Sequence, residues 1–348
     1  MDPITAIKVQ HVRVHKSYSL DVSPNVTLIT GTNGSGKTSL IEALYIALQG
    51  SSFKGSDGDV LRRGAEWYRI DIGYQNQASR SVKFDPSRSS GRKQFIVDGK
   101  TNYRLPDRYK YPVVLFEPDD LRLLSGSPTR RRQFIDRFIA QLDPQYSISL
   151  RRYERALKQR NSLLKQGAYS DSMFAWDVSL SEYGAYIIEQ RLKFVGELNG
   201  RLNAVYGSIS HTDDIVTVAY SYEPQGNVAQ RLLAELHQYA EKDRLLGFTS
   251  TGPHRHDILF NFNTSPALTV ASRGEVRSIV LALKFLEVDI IELITGKNPV
   301  ILLDDVFSEL DKERQNYLID LTKKNQIIIT SATNNSNLHT DYVTNLVI

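Results

Sequence analysis

Residues 29–48, ITGTNGSGKTSLIEALYIAL, set the reading of the whole chain. Val26 to Thr30 has the β-branched, apolar pattern of a short buried strand, and from Ser39 to Leu48 the apolar residues recur at helical spacing. The residues between them, Gly31, Thr32, Asn33, Gly34, Ser35, Gly36, Lys37 and Thr38, therefore turn a strand into a helix, the context in which this glycine-rich pattern has a mechanism. The glycines let backbone N–H groups close around phosphate oxygens, and the helix N-terminus adds a favourable dipole. Lys37 is expected to reach the β- and γ-phosphates of a nucleotide and the Thr38 hydroxyl a Mg²⁺ ion.

A phosphate loop needs a carboxylate at the end of a neighbouring buried strand. Val300 to Leu303 is an apolar run followed by Asp304 and Asp305, and the expectation is that this strand lies beside Val26–Thr30. Two adjacent carboxylates at a strand end are costly without a cation. Asp304 is the expected magnesium partner, and Asp305 is placed to orient or deprotonate an attacking water. The distance in sequence from Gly31 to Asp305 calls for an insertion. Upstream of the acidic strand, Ser272 opens an amphipathic helix whose apolar positions include Ile279, Val280, Leu283, Leu286 and Ile290. Ser272 reads either as an ordinary N-cap or as part of a second phosphate-binding helix terminus. One chain cannot easily bring two such devices to one γ-phosphate, but two facing copies can.

The chain has 348 residues, 41% of them hydrophobic, enough for a large core in two domains or one domain with an insertion. The absence of cysteine excludes disulfides, thiolate zinc sites and thiol catalysis, and suits a reducing compartment. No apolar run approaches the roughly 18 residues of a membrane span, and the first residues lack a signal-peptide core, so a cytoplasmic protein away from membranes is expected. Net charge is only +4, yet Leu121 to Lys165 holds eleven basic and three acidic residues. Arg130, Arg131 and Arg132 follow a Ser-Pro turn, and Arg151, Arg152, Arg155 and Lys158 gather along one helix. Such a surface neutralises nucleic-acid phosphates without reading bases, or it is a solvated face with internal ion pairs. His254 and His256 suggest a metal, but no third ligand with site-like spacing accompanies them.

Together these elements resemble an ABC-type ATPase head, and within that superfamily the RecF family of bacterial recombination and gap-repair proteins. The resemblance runs nearly the whole length, through IKVQHVRVHKSYSLDVSPNVTLITGTNGSGKTSLIEALY, SSFKGSD, LFEPDDLRLLSGSPTRRRQFID, GFTSTGPHRHD, ASRGEVR and LLDDVFSELD. It implies an α/β fold, an ABC-type P-loop head with mixed sheets, expected here over residues 1–118 and 242–348, and an inserted, mainly helical arm over residues 119–241. Ser272, Arg273, Gly274 and Glu275 resemble the signature motif and Ser308 to Asp311 the D-loop, both acting on a partner copy's nucleotide. Arg13 matches the family's N-terminal Phe-Arg-Asn position and so could reach the nucleotide.

The function implied is a weak, Mg²⁺-dependent, DNA-stimulated ATPase that forms an ATP-dependent homodimer on DNA. It would favour gaps or single-/double-strand junctions without sequence preference, assist recombinase loading with recombination mediator proteins, and use slow hydrolysis as a release timer. DNA replication, DNA repair and the SOS response follow from the same resemblance, as does a place at the nucleoid. Some positions depart from the family pattern. Glu275 stands where Gln is frequent, whereas Asp305 is the residue the family typically has, one methylene shorter than the glutamate of transporter heads, which points to slow turnover. No glutamine occurs in Phe116 to Asp120, and no histidine follows Ile327 to Ser331, leaving Ser331 or Thr333 to sense the phosphate. A structural-maintenance ATPase would carry a long coiled coil, for which Asp119 to Glu241 is too short. A small-molecule kinase would leave the Ser272 motif and the basic arm without a task, and an ATP- and DNA-binding adaptor without useful turnover is a third alternative.

Overall fold

In the computed structural model, the structure describes residues 2–166, 171–306, 310–312, 314–315, 324–332 and 343–347. They group into two compact units, one of residues 1–120 with 288–348 and the other of residues 121–287.

The first unit opens with β1 (Ile4–Val12), β2 (His15–Asp21), β3 (Val26–Thr30), α1 (Lys37–Gln49) and α2 (Asp57–Val60). It continues with β4 (Tyr68–Tyr74), β5 (Ser79–Phe84), β6 (Lys93–Val97), β7 (Lys100–Asn102) and β8 (Val113–Phe116). Six of these strands form an antiparallel sheet in the order β2-β1-β4-β5-β6-β7. Along β4 and β5 buried and half-exposed positions alternate, as a sheet with one wet face requires. β3 is instead buried at every position and belongs to a parallel sheet covered on both faces. α1 lies between the two sheets, with Leu40, Ile41, Leu44 and Leu48 packed into a core shared with Ile7, Ile70, Val82 and Leu302.

The second unit holds α3 (Pro128–Leu142), α4 (Pro144–Lys165), α5 (Asp171–Ser210), β9 (Val216–Tyr220), α6 (Val228–Gln238) and α7 (Ala240–Leu246). It goes on through β10 (Ile258–Phe262), β11 (Ser265–Pro266), α8 (Ala267–Val270) and most of α9 (Arg273–Thr295). The chain then returns to the first unit for β12 (Val300–Asp304), β13 (Ile327–Ser331) and β14 (Val343–Val347). Among the described residues no helix is long and apolar enough to cross a membrane.

Two expectations are corrected. β3 and β12 are not neighbours, because the parallel sheet runs β14-β3-β13-β12-β8 and β13 pairs with both. Ile329 stands in register with Leu28 on one side and Leu303 on the other. The inserted unit also extends beyond the expected limit at residue 241, and β9 to β11 stand beside its helices. β10 pairs antiparallel with β9, so residues 258–262 cannot be separated from 216–220, and the boundary falls inside α9.

Buried arginines hold the second unit together. Arg160, 1% exposed, donates to Asp177, Asp243 and Thr249. Arg191 forks onto both carboxylate oxygens of Asp136 at 2.9 Å and donates to the Pro253 carbonyl at 2.8 Å. Burial alone would lower the Arg191 pKa, but Asp136, Tyr146 and Tyr220 outweigh it and the group stays charged.

These contacts give residues 252–257 their task. His254 Nε2 faces the Thr249 carbonyl at 3.1 Å, and since a carbonyl only accepts, Nδ1 must accept from the Tyr153 hydroxyl at 2.6 Å. His256 Nδ1 meets the Tyr220 hydroxyl at 2.8 Å, and its ring stacks on Tyr222. Among the described residues no histidine and carboxylate cluster is arranged to hold a metal ion.

Burial pushes His254 down to about 4 and His256 to about 3. An unfolded chain takes up these protons near pH 6.5 while the folded one resists, so stability is full above that pH and falls as the pH drops towards the folded values. Between pH 7 and 5 each histidine should cost roughly 2 kcal/mol of folding stability. Urea unfolding of the wild type and of His254→Gln/His256→Gln at both pH values checks this, with the expectation that the double variant loses much less on acidification.

Candidate nucleotide site and nucleic-acid interface

β3 ends at Thr30 and α1 begins at Lys37, and the loop between them needs glycine at two positions with left-handed backbone: Gly34 has φ 85° and Gly36 φ 104°. A Cβ on Gly36 would stand 2.3 Å from His15 Nε2, whereas one on Gly34 would meet nothing. His15 is buried beneath the loop and its Nε2–H donates to the Gly36 carbonyl at 3.1 Å.

The buried Lys37 folds over the loop, donating to the carbonyls of Gly31 at 3.0 Å and Thr32 at 3.2 Å. Its Nζ lies 3.9 Å from Asp305 Oδ2. The Thr38 hydroxyl donates to Asp304 Oδ1 at 2.7 Å, and Thr330 on β13 donates to the same oxygen at 3.0 Å. Lys54 Nζ stands 3.5 Å from Asp304 Oδ2. Asp305 takes left-handed backbone, φ 53°, pinned by its N–H donating to Thr330. Burial lifts the Asp305 carboxyl above the ordinary range, against the pull of Lys37.

The residues present fit a nucleoside triphosphate and a divalent cation. The first turn of α1 leaves N–H groups without helical partners, and the Ser35 hydroxyl beside it is buried with no hydrogen-bond partner among the described residues. Thr38 and Asp304 offer a hydroxyl and a carboxylate in contact, the donor set expected around magnesium. Lys54, His15 and Thr330 were not singled out by sequence reasoning. SSFKGSD carries Lys54 without any local sign that it turns towards residue 304, and His15 has no signal at all.

The other candidates divide. Arg13, left-handed in the β1–β2 turn, commits Nε and Nη2 to the buried Glu42 carboxylate at 2.8 Å each, which raises its pKa. Asp120 is buried and accepts from the Glu117 N–H, closing the turn after β8. Ser331 is buried at the end of β13. Asp311 is exposed and pairs with Arg314. Ser308, Glu309 and Thr333 lie outside the described residues.

At the start of α9, Ser272 N–H donates to the Glu275 carboxylate at 2.5 Å and Glu275 N–H to the Ser272 hydroxyl at 3.3 Å, a capping box. Ser272, Arg273 and Gly274 remain exposed. The residues of the basic segment differ in their surroundings. Arg131 forks onto Asp257 at 2.8 and 2.7 Å, and Arg132 donates to the His256 carbonyl at 2.8 Å, so both brace the interior. Arg130 is half-buried, while Arg151, Arg152, Arg155 and Lys158 are all exposed on α4. Arg152 stacks on Tyr183 with 5.5 Å to the ring centre.

A parallel sheet ending in a phosphate loop and paired aspartates, flanked by an antiparallel sheet and interrupted by an inserted unit, defines a P-loop ATPase head. A family model described as an AAA domain matches residues 6–200. The DNA replication and repair proteins RecF of Clostridium novyi and Lachnoclostridium phytofermentans are 32% and 30% identical to this chain, each alignment covering 94% of it and 92% of the relative. The chain belongs to the RecF family. The solved structure of the recombination mediator protein RecF-ATP in the RecFOR pathway is 28% identical, with a TM-score of 0.86 over 99% of this chain and 95% of that one. An Smc head bound to the C-winged helix domain of ScpA shares the fold at 14% identity, with a TM-score of 0.52 over 95% of this chain and 90% of its own.

Gly36→Ala meets both a strained backbone and His15. It should weaken nucleotide binding by roughly tenfold or more, from a left-handed backbone cost of about 1–2 kcal/mol with the collision added. Titration with a fluorescent ATP analogue measures it, and His15→Ala in the same chain should recover part of the loss.

Proposed function

We propose that this chain is a DNA-binding ATPase of recombinational gap repair that dimerises around ATP and uses slow hydrolysis to time its release. The observation that carries the reading is the hydrogen bond from Thr38 to Asp304, which joins the phosphate loop to the acidic strand end and leaves Lys37 and Asp305 on the same spot. RecF-ATP, matched along nearly its whole length, supports ATP as the nucleotide.

In this reading Lys37 leaves the Gly31 and Thr32 carbonyls to meet the β- and γ-phosphates. Thr38 and Asp304 hold Mg²⁺, which when bound neutralises phosphate charge. Asp305, with its carboxyl already lifted by burial, orients the attacking water and takes its proton. Lys54 shifts from Asp304 towards the γ-phosphate. Ser272, Arg273 and Gly274, exposed at the capped start of α9, meet the γ-phosphate held by a second copy, and Asp311 takes the D-loop role. The exposed row on α4 tracks DNA phosphates, and the RecFOR context of the matched structure supports DNA and mediator proteins as partners.

Two experiments test this. ATP should raise the mass measured by light scattering from monomer to dimer, ADP should not, and Ser272→Arg should abolish that change while leaving one-site nucleotide binding nearly intact. A Ser272→Arg chain that still dimerises with ATP refutes the facing arrangement. Replacing Arg151, Arg152 and Arg155 by Ala should weaken binding to every DNA sequence alike and lower the slope of log K against log salt by about 0.7–0.9 per lost phosphate contact. An unchanged slope assigns these arginines to solvated charge and moves the interface elsewhere.

A further inference from the structure

The outer face of the antiparallel sheet carries a second polar site away from the phosphate loop. Gln10 on β1, Arg69 on β4, Lys83 on β5 and Gln94 on β6 stand in one register across four strands, on the opposite face from Tyr68 and Phe84. With Trp67 and Arg92 they line a cleft of about 300 Å³. That lies at the lower end of the roughly 300–1,000 Å³ of small-molecule sites.

Trp67 is 39% exposed, large for an indole with no task. It is also held in place, since His11 packs 4.6 Å from its ring and shares a hydrogen bond with its carbonyl at 3.2 Å. A preset aromatic face binds a flat ring with little ordering cost. The cations beside it are unevenly used. Arg69 is spent on Asp71 at 2.8 Å and Arg88 pairs with Asp85 at 3.2 Å, whereas Lys83 and Arg92 form no ion pair among the described residues. Arg92 instead donates to the Arg88 carbonyl, which fixes it at the rim.

We propose that this face holds an unpaired nucleotide of a DNA strand, its base stacked on Trp67 and the flanking phosphates at Lys83 and Arg92. Gln10 and Gln94 supply amide donors and acceptors for the base edge. Stacking on one indole needs a base with a free face, which a duplex interior does not offer, so the preference is for single strand. A peptide would want a run of apolar pockets or a free strand edge, and this face sits in mid-sheet, between β1 and β6. The inference rests on the reading of the chain as a DNA-binding protein and adds a place for the unpaired strand.

The chain has two tryptophans, so Trp176→Phe leaves Trp67 as the sole indole. In that background, emission is followed during titration with oligo(dT), a blunt duplex and a polyglutamate peptide, with anisotropy of labelled DNA read in parallel. Oligo(dT) should quench Trp67, and the duplex and peptide should not. Trp67→Ala should weaken oligo(dT) binding by roughly 5- to 150-fold, and Lys83→Ala/Arg92→Ala should lower its salt slope by about 0.7 per contact. Oligo(dT) bound with unchanged Trp67 emission, or equal quenching by the peptide, overturns this site alone. No binding of any DNA overturns it together with the reading beneath it.

Discussion

Asp304 sits 2% exposed at the end of β12, with Thr38 and Thr330 donating to one carboxylate oxygen and Lys54 facing the other. A carboxylate taken out of water costs several kcal/mol unless its lone pairs are met. Here the donors come from the phosphate loop, the segment after α1, and β13. The charge can be buried only when these segments have converged, so its burial and the shape of the nucleotide site are one event. Asp305 extends the same constraint, because its left-handed backbone is held by Thr330 and its carboxyl is set against Lys37. Thr330 thus serves both aspartates, which explains a polar side chain directly after three buried isoleucines.

Much of this was legible in the sequence. The run Val26–Thr30, the glycine pattern and the acidic strand end each have a local physical signature, and they formed the elements expected of them. Strand order did not follow, because Ile327–Thr330 is as apolar as its neighbours and nothing in a buried parallel strand records which strands flank it. The limit of the inserted unit was missed for a related reason. β9 and β10 are separated by two helices, and antiparallel partners so far apart leave no turn signal between them. Lys54 and His15 were invisible because their roles depend on tertiary approach, one to Asp304 and the other to Gly36.

The basic segment shows what charge counting can and cannot separate. Arg131, Arg160 and Arg191 are as cationic in sequence as Arg151 or Arg155, yet each of the first three is consumed by aspartates from distant segments. An arginine buried with its carboxylate specifies which helices meet, since removing one partner strands the other charge in the interior. On α4 it is Arg151, Arg152 and Arg155 that stay exposed, and their surplus is a property of the folded surface that the local excess of charge only hinted at.

The order of strands in the parallel sheet also bears on how the protein is made. β3 is complete once Thr30 has been synthesised, but both strands that flank it, β13 and β14, begin only at Ile327 and Val343. At about 5–20 residues per second the wait is on the order of tens of seconds. Throughout that interval an apolar strand with β-branched residues has neither of its native edges covered, a template for pairing with other chains. α1, which is finished early and shares a core with Ile29, can shelter one face of it but not its backbone. The arrangement that places β3 between late-arriving strands therefore leaves its two edges open until nearly the whole chain has been made.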